Sequence, residues 1–180
     1  MKAIRFASAA LLASASLASH ATTVNLAVDA WNTAYFGDTG STWLDDYAFN
    51  EPNPLDFTLN LTQASYLNVT DAGLAGDTFQ VVVRDALNNV VVNAATSAPG
   101  ADTTTDIGVD FAQALASNNW SHGSWLLGPG SYTVSGSVLN SAFGAGVLGV
   151  SVTTAVPEPA TYSILLAGLV VLSLAARRRG

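Results

Sequence analysis

The sequence predicts an all-β protein, a single antiparallel β-sandwich or jelly-roll ectodomain flanked by a signal peptide and a carboxyl-terminal transmembrane helix. Two observations lead to this prediction. Apolar and polar residues alternate in many short segments between residues 22 and 155, which is typical of strands with one buried face. Apolar segments flanked by basic residues lie near both ends of the 180-residue chain, at 6–18 and 160–176.

The amino-terminal segment has the three parts of a secretory signal. Lys2 and Arg5 form a short basic region, residues 6–18 are apolar and small, and Ser19 to Ala21 fit a small-x-small cleavage site. We therefore predict a signal peptide at 1–21 and an exported protein that begins at Thr22.

The strands of the ectodomain are predicted from period-two alternation between turn residues such as Asp71–Gly73, Gly76–Asp77, Asn88–Asn89 and Gly128–Gly130. Seven or eight short strands at this spacing favour a sandwich. They are predicted at 24–28, 57–61, 67–69, 79–83, 90–92, 125–127, 132–138 and 147–152. One short helix is predicted where Asp110 can cap a turn that contains Gln113, with Phe111 and Leu115 on one face. Long loops are expected at 37–54 and 94–107.

The ectodomain is strongly acidic, and this excludes some classes of binding partner. Arg84 is its only Lys or Arg, because the other five of the six basic residues lie in the two terminal segments. Twelve carboxylates oppose it: Asp29, Asp38, Asp45, Asp46, Glu51, Asp56, Asp71, Asp77, Asp85, Asp102, Asp106 and Asp110. Such a domain repels nucleic acid and anionic lipid at long range, so DNA or RNA binding is excluded. The absence of cysteine excludes disulfides, thiol catalysis and cysteine metal sites.

The carboxyl-terminal segment is the most specific part of the sequence. Pro157 and Pro159 are predicted to bias Glu158 towards an extended, exposed conformation, which would suit a protease or transpeptidase. The 17 uncharged residues of 160–176 make a helix of about 25 Å, just enough to span a bilayer. Arg177, Arg178 and Arg179 are predicted to stop transfer and to leave Gly180 on the cytoplasmic side.

This order of motif, span and basic cluster resembles the PEP-CTERM sorting signal of Gram-negative bacteria, also catalogued as an ice-binding-protein carboxyl-terminal segment. The resemblance implies recognition and cleavage near 157–159 by an exosortase, and an exopolysaccharide or biofilm setting. It does not imply ice binding. The predicted organisation is therefore a signal peptide at 1–21, an acidic ectodomain at 22–155 and a sorting signal at 156–180. Residues 56–83 and 123–132 are also similar to β-sandwich ectodomains found ahead of such tails.

No catalytic residues are predicted. A Ser-His-acid triad would depend on His122, the only histidine of the ectodomain, which lies between Ser121 and Ser124, but a Gly-x-Ser-x-Gly elbow is missing. Asp45 and Asp46 are adjacent carboxylates, for which loop solubility is the favoured interpretation over glycoside hydrolysis. Residues 144–149 match Gly-x-Gly-x-x-Gly without the following helix, which favours a glycine-rich hairpin over a dinucleotide site.

Two binding hypotheses stay open. Calcium prefers oxygen ligands on turns, which Asp71 with Asp77, or Asp38 with Asp45 and Asp46, could supply, although EF-hand spacing is missing and plain surface acidity is the alternative. An aromatic cluster could stack on sugars or fill the core, and it comprises Trp31, Tyr35, Phe36, Trp43, Tyr47 and Phe49. Thr103–Thr105 lack the regular spacing of an ice-binding array.

These observations predict an exported, non-enzymatic envelope or extracellular protein without a cofactor. Its expected partners are the secretion machinery, an exosortase, transiently the inner membrane with the ectodomain facing the periplasm, and exopolysaccharide. After processing, we expect the protein at the cell surface or outside the cell. A glycan- or calcium-binding module is the second interpretation, and a secreted hydrolase is the third.

Overall fold

The computed structural model describes residues 21–46 and 52–155. Within them the chain forms nine strands and one short helix. In chain order these are β1 Thr22–Asn25, β2 Trp31–Phe36, β3 Leu55–Leu61, β4 Ser65–Asp71, β5 Thr78–Asp85, β6 Val90–Ala95, α1 Phe111–Ala116, β7 His122–Leu127, β8 Gly130–Asn140 and β9 Gly146–Thr154.

The strands form two sheets that enclose one core, which confirms the predicted all-β sandwich. Sheet A has the order β1-β3-β8-β5-β6, and sheet B has the order β2-β9-β4-β7. Alternate residues of both sheets point inward, including Phe57, Val81 and Val134 from sheet A and Leu67 and Val150 from sheet B, all fully buried. The predicted period-two pattern therefore describes the inner and outer faces of β3 and β5 correctly.

The first strand departs from the antiparallel prediction. β1 pairs in parallel with β3, with Val24 opposite Phe57. The strand expected at 24–28 ends at Asn25, and the following residues cross from sheet A to sheet B, where Val28 makes a single parallel bridge with Val152. Val28 is exposed as a result, so its place in the apolar alternation does not mark a core position.

The loop predicted at 37–54 is partly ordered by pairing. In its described part, Leu44 bridges both Tyr35 and Pro54, and Thr42 bridges Ser137. The Trp43 N–H donates to Gly136 O, and Trp43 O accepts from the Leu55 N–H, so this segment ties sheet A to the edge of β2. It carries Trp43 into the core, where the side chain is fully buried.

The short helix is confirmed. The Asp110 carboxylate accepts from the Gln113 N–H at 3.0 Å, as the predicted cap requires. Its buried residues are Phe111 and Ala114, whereas the predicted Leu115 is only half-buried, because the helix lies against β4 and β7 through a different stripe. This helix, the one in the described ranges, is not long and apolar enough to cross a bilayer.

Candidate functional site

The predicted sorting residues lie outside the described residues. They are Pro157, Glu158 and Pro159 of the motif and Arg177, Arg178 and Arg179 of the basic cluster. The predicted signal peptide falls almost wholly outside the described ranges as well, and the transmembrane helix at 160–176 does so completely. The structure does show where the chain leaves the sandwich. The Ala155 N–H donates to Ala64 O at 3.1 Å, beside the end of β9 and the start of β4.

Four of the six residues of the aromatic cluster lie in the described ranges, where Phe36 and Trp43 are buried and Trp31 and Tyr35 are half-buried. Phe36 and Trp43 lie in the core, where Phe36 meets the Phe79 ring edge-on at 5.0 Å and Trp43 meets Phe57 at 6.3 Å. Trp31 packs on Phe111 at 5.4 Å. Tyr47 and Phe49 lie outside the described residues. For Phe36 and Trp43 the structure supports the core-packing alternative, because these buried rings have no face left for a ligand.

His122 and its neighbouring serines are not arranged as a triad. The His122 Nδ1 atom lies 2.9 Å from Trp120 O. The Ser121 hydroxyl is buried and bonds Thr96 Oγ1 and Ser97 O, while the Ser124 hydroxyl donates to Asn68 Oδ1 at 2.7 Å. Both hydroxyls therefore have structural partners other than the imidazole.

Asp71 and Asp77 come together, as the calcium hypothesis required, but backbone donors occupy them. The Asp71 carboxylate accepts from the N–H groups of Ala72, Gly76 and Asp77 at 2.9–3.2 Å. The Asp77 carboxylate accepts from the Ala142 N–H at 2.8 Å. Burial, followed by repulsion from Asp77, raises the pKa of Asp71 to about 8, and burial also raises the pKa of Asp77.

The Asp71 carboxylate holds the 72–76 loop closed, and the Asp77 carboxylate joins the end of this loop to Ala142. Residues 21–46 and 52–155 contain no group of three or more Asp, Glu, His or Cys side chains close enough together to hold a metal ion. Calcium binding stays a prediction.

Asp45, another of the candidate calcium ligands, and Asp102 also cap loops. Asp45 accepts from the Thr22 hydroxyl and from the Asn53 N–H, and the Thr22 bond is the largest cause of its lowered pKa. Asp102 accepts from the Thr104 N–H and the hydroxyls of Thr104 and Thr105, which lower its pKa to about 2. Thr104 and Thr105 therefore stabilise the loop in which they lie, through their hydrogen bonds to Asp102. Residues 146–149 of the glycine pattern lie in strand β9 rather than at the start of a helix.

The outer face of sheet A carries the polar surface that sequence reasoning missed. Its outward residues are mainly uncharged hydroxyl and amide side chains, in register across β3, β8 and β5: Thr58, Asn60, Gln80, Ser131, Thr133, Ser135 and Ser137. Two hollows of about 330 Å³ and about 290 Å³ lie on this face, one beside Thr58 and Thr133 and one beside Asp56 and Ser135. Burial raises the pKa of Asp56. This surface could have been predicted from the polar residues that alternate with the buried apolar residues in β3, β5 and β8.

The comparisons with known proteins address the tail and the fold separately. No curated protein matches the chain. Among solved structures, the pre-peptidase C-terminal domain of collagenase from Bacillus anthracis is similar at 14% identity, covering 74% of this chain and 96% of that one with a TM-score of 0.41. Residues 155–179 match the model of the PEP-CTERM protein-sorting motif. The chain therefore carries a PEP-CTERM sorting motif at its carboxyl end, ahead of which stands an all-β sandwich.

Proposed function

We propose that the protein is an exported, non-enzymatic envelope or matrix protein whose tail is processed by an exosortase. The observation that carries this proposal is the match of residues 155–179 to the sorting motif. Physical chemistry agrees with it. Pro-Glu-Pro offers an extended substrate, the apolar run favours the bilayer, and three arginines oppose its passage. The inner membrane holds the protein briefly, with the sandwich on the periplasmic side.

Intact-mass measurement of the protein from its own cells tests this proposal. We expect an amino terminus at Thr22 and a new carboxyl terminus near 157–159. The Glu158→Ala variant should accumulate with its tail attached, and Glu51→Ala is the matched control because these are the two glutamates of the chain. A cytosolic product with both termini intact would contradict the proposal.

The non-enzymatic part of the proposal draws support from the serines beside His122. The Ser121 hydroxyl donates to Ser97 O and the Ser124 hydroxyl donates to Asn68 Oδ1. Either serine would have to break this hydrogen bond before it could act as a nucleophile. A hydrolase screen of the wild-type protein and His122→Ala tests this point. Activity that disappears in the variant would support a hydrolase instead.

A second candidate function is contact with a neutral polysaccharide through the outer face of sheet A. Hydroxyl and amide side chains can donate hydrogen bonds to sugar hydroxyls and accept hydrogen bonds from them. Thr58 of β3 and Thr133 of β8 are paired across the two strands, and both line the hollow of about 330 Å³. Pull-down on matrix polysaccharide should fail for Thr133→Lys. The control is Thr33→Lys on β2, in sheet B. Equal retention of both variants would count against this surface.

A further inference from the structure

The end of the sandwich from which the tail departs has a distinctive surface. Strand registers bring the ends of β3, β4, β5, β7 and β9 to this end: Leu61 pairs with Gly130, Asp85 with Tyr132, and Ser65 with both Leu127 and Thr154. We name it the exit pole. It comprises the segments 27–31, 62–64, 85–90 and 127–130 together with Ala155.

Exposed apolar side chains concentrate at the exit pole. Of the nine large apolar side chains that are exposed in the described residues, six lie in these segments or within two residues of them: Val28, Tyr66, Leu87, Val90, Val91 and Leu126. Leu87 is 83% exposed and Leu126 is 58% exposed. Val109, Leu139 and Phe143 lie elsewhere, towards the opposite end. Clustered exposed apolar groups are typical of interaction surfaces.

The hairpin that carries Leu87 is firmly held. Asp85 Oδ1 accepts from the N–H groups of Leu87 and Asn89, both at 2.9 Å. Asn89 Nδ2 donates to Asp85 Oδ2, and Arg84 Nη1 donates to Asn88 O. Because the backbone is fixed by these bonds, Leu87 is displayed to solvent in a defined position.

The charges of the domain are distributed unevenly along the same axis. Of the eleven aspartates in the described residues, the exit pole carries only Asp29 and Asp85, and Arg84 adjoins it. Asp56 lies in mid-sheet. The other eight lie towards the opposite end, seven of them outside the strands and Asp71 buried at the end of β4. Repulsion from an anionic lipid surface therefore turns the acidic end away from the bilayer and leaves the exit pole facing it.

The tail permits only a short separation between the exit pole and the bilayer. Five residue steps join Ala155 to Ala160, the first residue of the apolar run, and five residues extend over at most about 18 Å. This step rests on the proposed function, because it requires that the apolar run lies in the membrane.

We propose that the exit pole docks on the membrane surface while the tail is attached, with Leu87 and Leu126 entering the lipid interface. Transfer of these side chains from water to lipid favours the docked orientation. Docking keeps the Pro-Glu-Pro element close to the bilayer, where a membrane-embedded protease works. Removal of the tail then releases the sandwich, because the acidic domain is repelled at longer range.

The chain has no cysteine, so single cysteines can be labelled without background. Full-length Leu87→Cys and Leu126→Cys would be reconstituted in phosphatidylcholine–phosphatidylglycerol vesicles and labelled with an environment-sensitive fluorophore. Leu139→Cys, 45% exposed near the far end of β8, is the matched control. We expect blue-shifted emission at 87 and 126, with most of it lost to spin-labelled lipid, and neither effect at 139.

The outcomes separate docking from the proposed function. Carbonate-resistant flotation with the vesicles reports membrane integration of the tail. If the protein floats but the probes at 87 and 126 stay water-exposed, docking is wrong and the proposed sorting stands. A blue shift that grows with protein density without lipid quenching would identify a second copy as the occupant and overturn docking. If carbonate releases the protein, both ideas fail.

Discussion

Asp77 donates its backbone N–H to the carboxylate of Asp71 at 3.2 Å while its own carboxylate repels that group. Both side chains are buried at the turn between β4 and β5. Burial is the larger cause and the charge of Asp77 the second, and together they raise the pKa of Asp71 from 3.8 to about 8. The folded protein therefore holds a proton here that the unfolded chain releases.

The first prediction is a decline in stability across neutral pH. Because the folded-state pKa of Asp71 is raised, its stabilisation is complete below about 3.8 and is lost as pH rises through about 8. Asp102, whose pKa is lowered to about 2, acts in the opposite sense, and its contribution is lost only as pH falls below 3.8. Urea unfolding at pH 4 to 9 should show falling stability, by up to about 1.4 kcal/mol per pH unit.

Asp77→Asn tests the origin of that decline. The amide oxygen still accepts from the Ala142 N–H, but the charge beside Asp71 is gone, so the alkaline decline should shrink without vanishing. Asp38→Asn, the same change at an exposed aspartate, is the control for the loss of one carboxylate. A flat wild-type profile between pH 4 and 8 would refute the assignment.

The second prediction concerns the contact between Trp43 and Gly136. A Cβ at position 136 would lie 2.2 Å from the buried indole, whereas nothing lies within 4 Å of one at Gly128. Gly136→Ala should therefore cost about 1–3 kcal/mol and Gly128→Ala little. Trp43→Ala should cost about 3–5 kcal/mol. Thermal unfolding measures all three, and an unchanged Tm for Gly136→Ala would show that the indole does not pack there.

The third prediction concerns the docking of α1 through Phe111 onto Gly149. A Cβ at 149 would lie 2.5 Å from the Phe111 ring, so Gly149→Ala should loosen the helix and lower amide protection at 111–116. In a Phe111→Ala background the added methyl has room, and the cost of Gly149→Ala should largely disappear. Hydrogen exchange and a double-mutant cycle measure this coupling. Additive effects of the two changes would speak against direct contact.

The fourth prediction concerns the buried hydroxyl of Ser121. Ser121→Ala removes the partner of Ser97 O and one partner of Thr96, whose oxygen still accepts from the Phe79 N–H. Ser97 is itself exposed, so its carbonyl can turn to water, and the expected cost is that of lost hydrogen bonds, about 0.5–1.5 kcal/mol each. Ser124→Ala, at an exposed position, should cost less. Chemical denaturation compares the two, and equal losses would show that the buried network contributes nothing special.

Much of the fold was predictable from local patterns. Alternation such as Phe79, Val81 and Val83 identified β5 and its inner face, and Asp110 identified the start of α1. These signals are local, because strand alternation and helix capping depend on residues one to four positions apart. β2 was missed because Trp31 and Tyr35 are large on its outer side, so the alternation of Ala34 and Phe36 was hidden.

By itself, the sequence determined the all-β class, the acidity of the domain and the sorting motif at 155–179, because composition and contiguous motifs carry these properties. Only the tertiary structure decided that β1 runs parallel to β3, that Trp43 is buried and that Asp71 shares its site with Asp77. It also decided that Leu87 and Leu126 lie at the same end of the sandwich as Ala155. Such relations depend on which distant segments pair, and pairing is set by the packing of the whole core rather than by neighbours in the chain.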